Sequence, residues 1–80
     1  MLTTPVQKTL TWIDGMDFRY YLDIPVVEGT VTIYYFPISE KYVIESILKD
    51  EQIQWKVRLN FDNAKDLAEE LYLDWRSRHN

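Results

Sequence analysis

Residues 52–75 have the sequence QIQWKVRLNFDNAKDLAEELYLDW, in which a strand pattern is followed directly by a helix pattern. In the strand part every second residue is apolar, which is typical of a strand with one buried face: Ile53, Trp55, Val57 and Leu59. In the helix part the apolar residues fall on one stripe: Ala64, Leu67, Ala68, Leu71 and Trp75. Because a strand and an amphipathic helix each bury one face, this stretch predicts a helix lying across a sheet, with Trp55 and Leu71 in the core.

The preceding segment, residues 41–48, fits either a helix or a strand. A helix would begin after Ser39 and present one apolar stripe: Val43, Ile44, Ile47 and Leu48. A hairpin that turns at Asp50-Glu51 would instead place Ile44 opposite Val57. Glu45 would then lie opposite Lys56 on the other face as an opposite-charge pair. We predict the strand, because apolar residues match on one side and charges match on the other.

Two further regions predict the rest of the sheet. Residues 30–36 are β-branched and aromatic on both faces, which indicates a central strand. Asp14-Gly15 favours a hairpin between two earlier strands. We expect a three-residue loop with Gly15 in the left-handed conformation, pairing Trp12 with Met16 and Leu10 with Phe18, because that register collects the large apolar side chains on one face.

These patterns together predict one α+β domain over residues 1–80. It comprises a loose N-terminus at 1–5, an antiparallel sheet within 6–60 and a helix over 62–76 that begins at Asp62 or Asn63. The sheet is expected to be a meander of about five strands, with the C-terminal amphipathic helix packed on one face.

Composition excludes several classes of protein. The chain is 46% hydrophobic and 15% aromatic, which is too apolar for a disordered protein. It has no cysteine, so disulfides and thiolate metal sites are ruled out. No apolar run approaches the roughly 18 residues that cross a bilayer, and the first residues lack the features of a secretory signal. We therefore expect a cytoplasmic protein that does not enter the membrane.

The residues available for catalysis are few. The single histidine, His79, is next to last, and the two glycines both occur at turns, so neither a hydrolytic triad nor a phosphate-binding loop is indicated. Neighbouring carboxylates such as Asp50-Glu51 have no apolar surroundings, and no spacing matches a calcium loop. We expect no enzymatic activity, no cofactor and no metal.

Nucleic-acid binding has limited support from the sequence. Arg19, Lys56 and Arg58 are expected at outward strand positions near Tyr21 and Tyr34, and basic and aromatic side chains on a sheet can bind single strands. The net charge of −4, however, favours a solvated sheet face instead.

Protein binding is the class with the most support. An acidic ridge is predicted on the helix, with Asp62, Asp66, Glu70 and Asp74 spaced by four, Glu69 adjacent, and Leu73 in the middle of the polar side. Like charges at that spacing destabilise a helix by roughly 0.2–0.5 kcal/mol per pair, so the ridge is either a solvated, solubilising helix face or a surface for a cationic partner. The residues in excess of the predicted core also include Tyr72 of the helix and three sheet aromatics, and the sheet aromatics form a second candidate surface: Tyr21, Tyr34 and Phe36.

This short, acidic, aromatic and cysteine-free build, a sheet with one helix, resembles phage-encoded inhibitors of host defence, including anti-CRISPR proteins. The resemblance is one of build and no motif is shared. It implies that the acidic ridge occupies a basic nucleic-acid channel on a host defence complex and blocks it. The alternative is a cellular accessory or assembly protein that docks through its sheet aromatics, and an edge strand could let it form homo-oligomers.

Overall fold

A computed structural model describes residues 10–79 of the chain. Five antiparallel strands form one sheet in the order β1-β2-β3-β4-β5, followed by a single helix. The elements are β1 (Trp12–Asp14), β2 (Arg19–Leu22), β3 (Gly29–Phe36), β4 (Lys41–Leu48), β5 (Gln54–Arg58) and α1 (Phe61–Arg78). This confirms the predicted α+β meander. The loose terminus predicted at 1–5 and the start of the first strand at residue 6 lie outside the described residues.

The core lies between the two central strands and the helix. Ile33 of β3 pairs with Ile44 of β4, and neither side chain has any exposed surface. Ala64 and Ala68 of α1 are also completely buried, and such small side chains let the helix backbone approach the sheet closely. Burial of each large aliphatic side chain contributes roughly 1.5–3 kcal/mol, so this contact is the main source of stability.

The strand predicted over residues 41–48 is confirmed as β4, and residues 30–36 lie in the central strand β3 as expected. The turn between them occupies residues 37–40. Glu40 closes this turn with φ +54°, which lets the chain reverse tightly into β4.

The first hairpin forms with a different loop from the one predicted. Trp12 pairs with Leu22, not with Met16, and the loop covers residues 15–18. Gly15 does not adopt the left-handed conformation; the three residues after it do, with φ between 51° and 68°. Asp14 supports this turn because its Oδ1 accepts a hydrogen bond of 3.0 Å from the main-chain N–H of Met16.

The register predicted for β5 is wrong by one residue. Ile44 lies opposite Lys56 and Glu45 lies opposite Trp55, so the Glu45–Lys56 pair does not form. The connection after β4 runs over residues 49–53, with Asp50 at φ +62°, and is longer than a two-residue turn. A slip of one residue exchanges the two faces of a strand. The apolar side chains of this segment therefore point away from the helix, and all are exposed: Ile53, Trp55, Val57 and Leu59.

The helix begins earlier than predicted and buries an aromatic residue that was expected on the surface, in addition to Trp75. Its N-cap is Asn60, whose side chain accepts a hydrogen bond from the N–H of Asn63, so neither Asp62 nor Asn63 is the cap. Tyr72, expected on the surface, is only 3% exposed and its hydroxyl donates to Glu28 at 2.7 Å. Leu71, expected in the core, is half-buried at its margin.

Candidate protein interface

The sheet has one covered face and one face that no other part of residues 10–79 covers. Helix α1 packs on the side of Ile33 and Ile44. Strand pairing places a second set of residues on the opposite side, which we name the open sheet face: Ile13, Arg19, Tyr21, Thr30, Thr32, Tyr34, Phe36, Lys41, Val43, Glu45, Ile47, Trp55 and Val57. The predicted sheet aromatics Tyr21, Tyr34 and Phe36 thus lie together on one surface.

Much of the open sheet face is apolar and accessible. Trp55 is 61% exposed, Val57 and Phe36 are 49% exposed, and Ile13 is 47% exposed. Single exposed apolar residues are ordinary, but contiguous ones on a folded domain mark interaction surfaces. The alternation in the sequence of β5 identified Trp55 and Val57 as members of one apolar strand face. The predicted register, however, placed that face against the helix.

A hydrogen-bonded cluster lies in the middle of the open sheet face. Glu45 is half-buried and its two carboxylate oxygens have separate donors. The hydroxyl of Tyr34 donates to Oε1 and the indole Nε1 of Trp55 donates to Oε2, each at 3.1 Å. The carboxylate is held between two aromatic rings, so its position is fixed before any partner arrives.

Arg19 and Tyr21 complete the surroundings of this cluster. The Arg19 guanidinium carbon lies 6.0 Å from the centre of the Tyr34 ring, within the range of a cation–π contact. Burial, and then the hydrogen bond to Glu45, raise the pKa of the Tyr34 hydroxyl, so Tyr34 remains a donor at neutral pH. The Tyr21 ring packs over Gly15, where a Cβ atom would approach it to 2.0 Å. Glycine at this position therefore leaves room for the Tyr21 ring.

The acidic ridge is present on α1 but is partly engaged within the domain. Asp66, Glu70 and Asp74 are exposed, as is Leu73 at 49%. Asp74 forms an ion pair of 3.2 Å with Arg78, which also pairs with Glu51. The adjacent Glu69 is half-buried.

Glu69 has a structural role that the sequence did not indicate. Its Oε2 accepts a hydrogen bond of 2.8 Å from Nε1 of Trp12. Because Trp12 belongs to β1, this bond ties the edge of the sheet to the helix. Glu69 is therefore not free to contact a partner in the way that Asp66 and Glu70 are.

The proposed basic platform is divided between the two faces. Arg19 lies on the open sheet face near Tyr21 and Tyr34, whereas Lys56 and Arg58 pair with Ile44 and Tyr42 on the opposite face. The three basic side chains therefore cannot act on one nucleic-acid strand beside the aromatics, and this hypothesis loses its geometric basis.

A shallow cleft lies at the C-terminal end of the helix. Its volume is about 270 Å³, and its lining comprises Val27, Glu28, Lys49, Asp50, Trp75 and His79. The His79 ring stacks on Trp75, with a centroid distance of 4.9 Å. Within residues 10–79 no group of three or more acidic or histidine side chains is arranged to hold a metal ion.

No family model, curated protein or solved structure significantly matches this chain. In the described part of the chain, α1 lacks the continuous apolar length that a membrane-crossing helix needs.

Proposed function

We propose that this protein is a small, non-enzymatic protein-binding module that docks through its open sheet face. The observation that carries the proposal is the orientation of β5, which directs Trp55 and Val57 to solvent. Ile13, Phe36 and Ile47 are further exposed apolar residues elsewhere on the same face.

The composition of this surface supports a protein partner. Aromatic side chains are enriched at the centres of protein interfaces, and Trp and Tyr are the most frequent residues whose truncation weakens binding strongly. The open sheet face carries Trp55, Tyr34, Tyr21 and Phe36 on a five-stranded sheet, which holds them in place. A rigid platform loses little conformational entropy when a partner covers it.

Site-specific photo-crosslinking tests this proposal. A benzophenone amino acid at Val57 of the open sheet face should crosslink one defined partner in native lysate, and the same amino acid at Leu73 of the helix should not. Both positions are 49% exposed, so they are matched for accessibility. Trp55→Ala should abolish the Val57 crosslink. A crosslink from Leu73 alone would contradict docking through the sheet.

A second hypothesis keeps the acidic ridge as the interface of a phage-type inhibitor that occludes a basic surface. The observation in its favour is the exposure of Asp66, Glu70 and Asp74 beside the exposed Leu73. Under this hypothesis the Leu73 crosslink should appear and should weaken steeply with added salt. The triple change Asp66→Asn, Glu70→Gln and Asp74→Asn should then remove it, while the melting temperature stays nearly constant.

A further inference from the structure

We propose that Glu45 is the anchor point for an arginine side chain of the partner protein. This inference rests on the proposed function, because it concerns the residue that a partner of the open sheet face must present. It is carried by the cluster of Tyr34, Glu45 and Trp55 at the centre of that face.

The carboxylate of Glu45 is fixed but has unused acceptor capacity. A carboxylate offers about four acceptor directions, and here each oxygen accepts one hydrogen bond, from Tyr34 or from Trp55. Both donors are neutral groups. The side chain is therefore oriented without its charge being neutralised, and it can still accept two further hydrogen bonds.

No cation of the described chain pairs with Glu45. The ion pairs within residues 10–79 involve Arg78 at the helix end. Lys56, which a different register would have placed opposite Glu45, lies on the covered side of the sheet. Arg19 is on the same face, but its guanidinium lies over the Tyr34 ring. Glu45 is thus a negative charge with no cationic partner among the described residues, and it lies beside the exposed side chain of Trp55.

Covering this surface makes a cation necessary. A partner that buries Trp55 and Val57 also takes the Glu45 carboxylate out of water, and a buried carboxylate is unstable unless it is paired. Arginine matches the site best, because its planar group can donate two parallel hydrogen bonds to a carboxylate. The rings of Tyr34 and Trp55 beside the carboxylate add cation–π attraction. The partner is therefore expected to present an arginine surrounded by apolar residues.

A titration followed by NMR tests this inference. The probe is the peptide acetyl-Leu-Arg-Leu-amide, and its control carries citrulline, which keeps the shape of arginine without the charge. The arginine peptide should shift the indole N–H resonance of Trp55 with a dissociation constant of about 1–10 mM, as few contacts are made. The citrulline peptide should bind at least about tenfold more weakly.

Two matched variants locate the effect. Glu45→Gln keeps the size of the side chain and should abolish the preference for arginine over citrulline, with the melting temperature nearly unchanged. Glu70→Gln removes one charge from the exposed helix face and should leave the preference intact.

The outcomes separate this inference from the proposed function. Equal shifts of Trp55 by both peptides would overturn the role of Glu45 while leaving the open sheet face as a binding surface. Shifts confined to α1 would contradict both. No shift with either peptide at about 20 mM would overturn the arginine site. Concentration-dependent dimerisation that both Arg19→Gln and Glu45→Gln abolish would overturn a separate partner and assign the arginine to a second copy of this chain.

Discussion

The tryptophans Trp55 and Trp75 provide a direct test of the register of β5, because the same substitution should have very different effects at the two positions. Trp75 is only 6% exposed, and its Nε1 donates a hydrogen bond of 2.8 Å to the carbonyl of Lys49. Trp55 is 61% exposed and contacts Glu45 at the surface. We expect Trp75→Ala to destabilise the domain severely and Trp55→Ala to destabilise it mildly.

The magnitudes follow from burial. Trp75→Ala creates a cavity and leaves the Lys49 carbonyl without its donor, which should cost about 3–5 kcal/mol. At Trp55 only about 100 Å² of the side chain is buried, and alanine keeps part of it, so the loss should be about 1–2 kcal/mol. The whole domain is expected to have a free energy of unfolding of about 5–10 kcal/mol. Trp75→Ala should therefore be largely unfolded under mild conditions, unlike Trp55→Ala.

Urea denaturation followed by far-ultraviolet circular dichroism measures both effects. Trp75→Phe and Trp55→Phe form a gentler pair if Trp75→Ala is too unstable for a complete transition. The ranking should be the same in both pairs. If Trp55→Ala cost as much as Trp75→Ala, Trp55 would have to lie in the core, and β5 would be paired in the register that the sequence suggested.

Three further substitutions test the helix and its contacts. Asn60→Ala removes the N-cap and should cost about 1 kcal/mol in thermal denaturation. Tyr72→Phe removes the hydrogen bond to Glu28 and should cost about 1–3 kcal/mol in urea denaturation, since the acceptor is charged. Burial, and then that hydrogen bond, raise the pKa of the Tyr72 hydroxyl in the folded protein. The stability that Tyr72 contributes is therefore present below the pKa of about 10 that tyrosine has in the unfolded chain, and it is lost as the pH rises through the pKa of the folded state. Tyr72→Phe should reduce this loss of stability at alkaline pH. The hydrogen bond from Arg78 lowers the pKa of the Glu51 carboxyl in the folded protein. The stability that this contact contributes is therefore present above the pKa of about 4.3 that glutamate has in the unfolded chain, and it is lost as the pH falls through the pKa of the folded state. Glu51→Gln should make the melting temperature depend less on pH over that acid range.

Local sequence patterns determined the class of fold. The β-branched and aromatic run at 30–36 specified a central strand. Residues 41–48 fitted a helix or a strand, and the strand prediction was correct although the Glu45–Lys56 pair that favoured it does not form. The stripe of Ala64, Ala68 and Trp75 specified the face that the helix buries. The run at 30–36 and the helix stripe depend on periodicity within a few residues, which is why they could be predicted without knowledge of the fold. The three sheet aromatics were also identified correctly as lying outside the core.

The tertiary structure decided which face of β5 is buried. An alternating strand presents an apolar side in either register, so its own sequence does not determine whether that side meets the helix or solvent. The connection after Leu48 determines this: it covers residues 49–53, with Asp50 left-handed, and is not a two-residue turn at Asp50-Glu51. The consequence is the candidate interface, because a shift of one residue moves Trp55 from a predicted core position to a partner of Glu45. Tyr72 was misplaced for a related reason: it packs in the core and donates a hydrogen bond to Glu28, and these contacts with residues distant in the sequence form only when the chain is folded.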